Sequence, residues 1–530
     1  MNGRELWRSD GTLAGTTMVK DVNPGPASSS PTQLTVLDGV VYFTANDGVH
    51  GIEPWRSDGT TAGTMLLRDV FPGTTSSLSN DLTPYRGALY FSANDGVNGQ
   101  ELWRSDGTPA GTGLLFDIRP GPTGSGGGGG TLTVFQDRLF LSVDDGVRGR
   151  ELWWSDGTGA GTALFKDLEP GSGGSAPVEL AVAGNRLFFR AMSPATGNEL
   201  YVSAGTPATT GLLLDLLPGA NSSSPASLTG VGNLVYFTAD RPVEGREPWR
   251  SDGTPAGTFL LRDVAPGPGA SSAGSFVDAN GVAFFATGEV PSEPHLWTSD
   301  GTSAGTVLLH SKAPCVSQGL AQVGSGARVA VAAEHVTQGC EPFVSDGTLA
   351  GTTLVADLRP GADGSRPAGF RTVGDKLFFA ADDGWSGVEL FAAPLGLLGA
   401  THVERYGRGC AGTGGRVPAI GAVGLPKLGN AGFKVSLTNA LPNAPAALLL
   451  SVVRAAVPLG PGGCTMLAAP QVVLPAQTGG LGTAEVPLPV PGEDALRGVS
   501  VFFQWLVADP NGSWMAVGAW SDGLQAVLGR

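Results

Sequence analysis

The phrase ELWRSDGTLAGT, which begins at Glu5, returns as EPWRSDGTTAGT at Glu53, ELWRSDGTPAGT at Glu101 and ELWWSDGTGAGT at Glu151. Its aromatic residue falls at Trp7, Trp55, Trp103, Trp153, Tyr201, Trp249, Trp297, Phe343 and Phe391, in steps of 48, 48, 50, 48, 48, 48, 46 and 48 residues. So constant a step means that one structural unit is copied with small changes in its loops. Whatever one copy folds into, all must fold into, each burying its apolar face against the next.

One period carries four strand signals. Leu34–Leu37 is followed by the turn Asp38-Gly39, then Val40–Ala45, the loop NDGVHG, the stretch IEPWRS, the turn Asp58-Gly59, and TMLLRDV from Thr64. Asp-Gly between apolar runs marks tight hairpins, because Gly, and tolerably Asp, adopts the positive φ such turns need. Helical periodicity is missing, and 83 Gly with 39 Pro in 530 residues punctuate the chain instead of propagating helices. A four-stranded antiparallel unit of this length, repeated, reads as a β-propeller blade.

With the blade strands labelled A to D, the chain opens on C and D (Glu5–Val22), writes seven complete blades, and ends on A, B and C. The opening pair can complete the last blade, which gives an all-β, eight-bladed β-propeller over residues 1–398. One C strand is then surplus. Either it is displaced, or the chain as given lacks its true beginning. From Leu398 the phrase stops, and Ala-, Gly- and Pro-rich strand material follows, so residues 399–530 are expected to form a β-sandwich-like domain. Trp505, Trp514 and Trp520 are expected in its core.

The recurring phrase resembles the ELWxxDGT repeat family of bacterial, mostly secreted or surface-associated proteins. The resemblance covers residues 1–398, with departures at Ala204, where Asp is usual, and at Phe343 and Phe391, where Trp is lost. It implies an extracellular, propeller-like repeat protein and brings little chemistry. The opening MNGRELWRSDGT holds no basic-then-apolar leader, so no signal peptide is present in the chain as given.

The Asp of SDGT is expected to cap its own hairpin turn, and the aromatic to pack between blades. The B–C and D–A loops share the opposite face. There Asp47, Asp95, Asp145 and Asp383, each in an Asp-Gly loop, and Glu53 and Glu101 beyond two of those loops, form the candidate ligand-binding set. Polar oxygens on loops over a rigid scaffold suit sugar hydroxyls or weakly held calcium. No other cofactor is expected.

A formal charge of −15 without clustered Lys or Arg excludes nucleic acid as a partner, and no stretch reads as a transmembrane span. Cys315 and Cys340 fall in D–A and B–C loops of one face, and Cys410 and Cys464 in the C-terminal region. Two disulfides, Cys315–Cys340 and Cys410–Cys464, are expected, and with them an oxidising, extracytoplasmic compartment.

The GxSxG match at Gly301–Gly305 lies in the repeat phrase, where a nucleophile elbow has no place. The five histidines are scattered, with His50 and His335 in B–C loops, and no metal-ligand spacing occurs. No catalytic set is therefore selected. The leading expectation is a monomeric, non-enzymatic propeller presenting its loop face to a glycan or an extracellular protein. Two alternatives stand beside it: a polysaccharide-active hydrolase or lyase using loop-face carboxylates, and a structural surface or matrix component.

Overall fold

The computed structural model describes residues 2–126, 132–288, 295–311, 319–335, 339–349, 351–359, 361–395, 402–406, 410–423, 426, 430–452, 454–458, 465–468, 470–491, 499–510 and 518–527. Among them the elements are β-strands and two single-turn 3-10 helices. The first six strands are β1 (Leu6–Arg8), β2 (Thr17–Lys20), β3 (Thr32–Leu37), β4 (Val40–Asn46), β5 (Ile52–Ser57) and β6 (Met65–Leu66).

Strands β3 to β6 form one antiparallel sheet in chain order, as expected of a blade, and seven such four-stranded sheets occur among the described residues. The A–B hairpin turn takes Asp38 to φ 50° and Gly39 to φ 77°, the positive pair that Asp-Gly supplies. A last sheet of three strands follows, Ala368–Val373, Lys376–Asp382 and Val388–Pro394.

Strand pairing corrects one expectation. Among the described residues β1 pairs with β2 in a two-stranded sheet and the last blade-type sheet has three strands, so the expected four-stranded completion is not among the pairings seen. The β1–β2 hairpin is local, whereas a pairing of the opening strands with Val388–Pro394 would reach across the whole repeat region. The consequences are visible at both places. Trp7 is 58% exposed, while Trp55, Trp103, Trp153, Tyr201, Trp249, Trp297 and Phe343 are buried. In the last blade-type sheet three strands are seen among the described residues, and Leu390 is 54% exposed.

The buried aromatics behave as expected of packing between neighbouring sheets. Trp55 lies in one apolar cluster with Leu6, Val19 and Val22 from the preceding hairpin, and Trp103 lies with Leu67 and Val70 from the preceding blade. Three indoles are also stacked on a Phe of strand B in their own sheet: Phe91–Trp103 at 6.4 Å, Phe237–Trp249 at 6.5 Å and Phe285–Trp297 at 6.2 Å between centroids.

The chain divides into two compact units, Met1–Glu293 with Trp297–Leu308, and Pro294–Leu296 with Leu309–Arg530. The second holds the final blade-type sheets and a β-sandwich-like arrangement. A five-stranded sheet (His402–Tyr406, Gly518–Val527, Ser500–Ala508, Pro445–Ser451, Val472–Gln477) and a three-stranded one (Ala419–Val423, Lys434–Thr438, Ala484–Pro487) share one core. Leu448, Phe503 and Trp505 meet Ile420, Val435 and Leu437 there. The Trp505 indole N–H donates to the Ser436 carbonyl at 3.1 Å, tying one sheet to the other. Trp520 is buried as expected, and Trp514 lies outside the described residues.

Candidate functional site

The SDGT turn accounts for the phrase's Ser, Asp and Thr. In the copy at Asp58, Thr60 donates both its backbone N–H and its hydroxyl to Asp58 Oδ1, and Gly63 N–H donates to the Thr60 hydroxyl. The Thr64 hydroxyl donates to the Thr60 carbonyl, and its oxygen is also hydrogen-bonded to the Ser57 hydroxyl. A Cβ at Gly63 would stand 2.1 Å from the Asp58 carboxylate, which explains the glycine. The Thr60 hydroxyl holds the Asp58 carboxyl below its usual range. These carboxylates are turn caps, as the sequence suggested. Where Ala204 replaces the Asp, the single-turn 3-10 helix Pro207–Thr209 substitutes, with Thr206 and Thr209 hydroxyls bonded to each other. Ser303 of the GxSxG match sits in the same hairpin turn, Thr306 N–H donating to its carbonyl.

The loop-face carboxylates are engaged in the same manner. Asp47 Oδ1 accepts the N–H groups of Val49 and His50 at 2.9 and 2.8 Å. Asp95 accepts those of Val97 and Asn98, Asp145 those of Val147 and Arg148, and Asp383 those of Trp385 and Ser386. The second oxygen takes the side chain three residues on: Asn98 for Asp95, Arg148 for Asp145, Ser386 for Asp383. In the first loop that partner is His50, whose Nδ1 lies 2.7 Å from Asp47 Oδ2. Burial pushes the Asp47 carboxyl up, but the His50 ring and the loop N–H groups outweigh it and hold it below the usual range. The same bond raises the His50 imidazole, which is 35% exposed. One loop of the set thus carries an Asp–His dyad where the others carry a plain turn contact.

Glu53 and Glu101 require a correction. They are not loop-face ligands but fully buried, at 0% exposure. Glu53 accepts Val70 N–H at 3.0 Å and Ser77 N–H at 2.8 Å; Glu101 accepts Ile118, Arg119 and Ser125 N–H groups and the Ser125 hydroxyl. The same serines reach the next sheet, since Asn94 N–H donates to the Ser77 carbonyl and Asp144 N–H to that of Ser125. The repeated Glu is therefore a clamp that fixes the D–A loop, and through its serine the neighbouring sheet. Glu389 is exposed, in a sheet that has three strands among the described residues.

Burial pushes Glu53, Glu247 and Glu341 up to about 7, and Glu101, Glu151 and Glu199 in the same direction. A carboxyl raised on folding makes the native state bind more protons than the unfolded chain between the ordinary value of 4.5 and about 7. Stability contributed by these groups is full below that window and declines as pH rises through it. The turn aspartates act oppositely, losing their contribution below the usual carboxylate range. Thermal unfolding scans should therefore show a higher midpoint near pH 5 than near pH 8, and a fall again near pH 3. A midpoint that climbs steadily from pH 5 to pH 8 would contradict the clamp's protonation.

Cys340 and Cys410 are both disulfide-bonded, and no described cysteine is free. Cys315 and Cys464, the expected partners, lie outside the described residues. Among the described residues no helix is long and apolar enough to cross a membrane, and no group of three or more His, Cys, Asp or Glu side chains is arranged to hold a metal.

These sheets define an all-β protein of the β-propeller class. Solved structures it resembles include a puromycin hydrolase (13% identity, TM-score 0.35, covering 83% of this chain and 64% of that one). Others are a Mycobacterium tuberculosis puromycin-hydrolyzing peptidase (14%, 0.36, 72% and 61%) and an oligogalacturonate lyase in complex with manganese (14%, 0.34, 70% and 98%). The chain spans about three fifths of the length of the puromycin-cleaving enzymes. No protein-family model and no curated protein matches it. These three structures are of enzymes, against the leading expectation of a non-enzymatic binding propeller, which is not carried further. At these identities the likeness is one of fold, and the substrates belong to those proteins.

Proposed function

We propose that the chain is a polysaccharide-active enzyme, a hydrolase or lyase, working at its B–C and D–A loop face. The observation that carries this reading is the Asp47–His50 dyad. Asp47 fixes the ring through Nδ1, which leaves Nε2 to give or take a proton near neutral pH. His50 is then the general acid–base group and Asp47 its positioning residue. The arginine–carboxylate pairs of the loops two sheets further along the chain, Arg119–Asp144 at 2.7 Å and Arg148–Asp145 at 2.6 Å, support binding of an extended polar chain by loops of this kind. Membership of the ELWxxDGT repeat group, secretion, and the Cys315–Cys340 and Cys410–Cys464 pairings belong to the same proposal.

His50→Gln should lower kcat about 100-fold or more with little change in KM. It should also remove from the pH–rate profile an ionisation lying above the ordinary histidine value. Unchanged turnover and an unchanged profile would reject the dyad. A structural surface component is the second reading, favoured by Glu53 and Glu101, which serve the scaffold and not the face.

A further inference from the structure

The copy that carries His50 differs from the others at a second place. Two residues after the Asp that opens it, the D–A loop carries Asn23, Arg119, Glu169, Leu217, Ala265 or Arg359 in other copies, and Phe71 here. Side chains at this position lie against the Asp-Gly turn of a B–C loop. A Cβ at Gly48 would stand 2.8 Å from Asn23 Oδ1, one at Gly96 2.8 Å from Phe71 Cζ, and one at Gly146 3.0 Å from Arg119 Nε. The one aromatic of the series thus adjoins the one loop that carries a histidine.

Phe71 is fixed from both sides. Its N–H donates to the buried Glu53 carboxylate, and its ring rests against Gly96. Its loop is tied to that of His50: Ile52 N–H donates to the Ser76 hydroxyl at 2.9 Å, and a Cβ at Gly51 would stand 2.9 Å from the Thr74 carbonyl oxygen. Val70 is buried, but Phe71, next along, is partly exposed. Exposed valines stand in the two B–C loops it adjoins, Val49 at 60% and Val97 at 69%. A fixed, partly exposed ring among apolar loop tips and a proton-transfer group is a surface on which the C–H face of a pyranose packs.

The same loops decide the charge of the ligand. From Asp21 to Arg246, His50, Arg119, Arg148, Arg241 and Arg246 are each paired with a carboxylate, and Arg150 donates to the Ser142 and Gly126 carbonyls. A polyanion would meet cations that are already neutralised, on a chain of formal charge −15. We propose that Phe71 is the stacking platform for one sugar ring beside His50, and that the polysaccharide it selects is uncharged. This rests on the reading of the face as a polysaccharide site, but not on turnover.

Native gels containing xyloglucan, galactomannan or mixed-linkage β-glucan, beside gels containing polygalacturonate or alginate, test this with the full-length chain. The wild type should be retarded by at least one neutral polymer and by neither polyuronate. Phe71→Asn, which installs the side chain that Asn23 shows the position accepts, should raise the apparent Kd read from that retardation at least tenfold. Phe71→Trp should retain binding, and Leu217→Ala, at the same letter of another copy, should leave it unchanged. No retardation by any neutral polymer, retardation by a polyuronate alone, or equal loss in Phe71→Asn and Phe71→Trp would each overturn the platform. New reducing ends are read from the same bands. Retardation without them supports the platform and removes the enzymatic reading; turnover of a neutral polymer undiminished in Phe71→Asn removes the platform and leaves the enzyme.

Discussion

Glu101→Ala is expected to destabilise the protein by at least about 3 kcal/mol, because it strands three buried backbone N–H groups and a hydroxyl at once. Those donors belong to Ile118, Arg119 and Ser125, and of them the Ser125 hydroxyl has a second acceptor, the Gln100 carbonyl at 3.2 Å. The damage should spread beyond one blade, since Ser125 carries the bond from Asp144 of the next sheet. Glu101→Gln keeps one oxygen and should cost less. Glu389→Ala supplies the control: the same letter of the phrase, but exposed, and expected within about 0.5 kcal/mol of wild type. Urea unfolding of the three variants reads the result. Equal midpoints for Glu101→Ala and Glu389→Ala would show that the buried glutamate is not a clamp.

Trp103→Ala is the second large effect, about 3–5 kcal/mol by the cost of emptying a buried indole site. Trp103 is 3% exposed, stacks on Phe91, packs on Leu67 and Val70 of the preceding blade, and lies 5.7 Å below the Arg68 guanidinium. Its indole nitrogen is buried without a hydrogen-bond partner, so Trp103→Phe gives up ring area but no hydrogen bond. That variant should lose no more than about 1.5 kcal/mol, as a shape-tolerant apolar exchange does. Trp7→Ala, at a ring 58% exposed, should be nearly silent. If Trp7→Ala costs as much as Trp103→Ala in the same unfolding experiment, the aromatic is not packing between neighbouring sheets.

Much of the fold was written in turn chemistry. Asp38-Gly39 and the SDGT turns announced hairpins because those backbone conformations demand those residues, and the constant step extended one hairpin pair to the whole repeat region. What was misread is instructive. Glu53 and Glu101 follow the Asp-Gly loops in sequence and so were assigned to the loop face. Strand alternation gives the right answer: Glu53 and Trp55 are two residues apart, hence on one side of the strand, and that side is buried. The loop serine 24 residues beyond each glutamate was the other available signal.

Pairing between the opening strands and the last copy of the repeat could not be read from local text. The opening hairpin satisfies itself, and only strand pairing reports that. The Asp47–His50 bond was in reach, because the partner three residues on from the loop Asp changes from copy to copy, and a single copy makes it titratable.

The most direct test of the enzymatic reading is product formation. Purified protein and its His50→Gln variant, incubated with a panel of neutral and acidic polysaccharides, should be assayed for new reducing ends and for the ultraviolet absorbance of unsaturated ends. The account predicts catalytic release of ends from at least one polymer by the wild type, with the rate lost in the variant; ultraviolet-absorbing ends would mark a lyase. No release from any polymer, or equal release by both proteins, would contradict it.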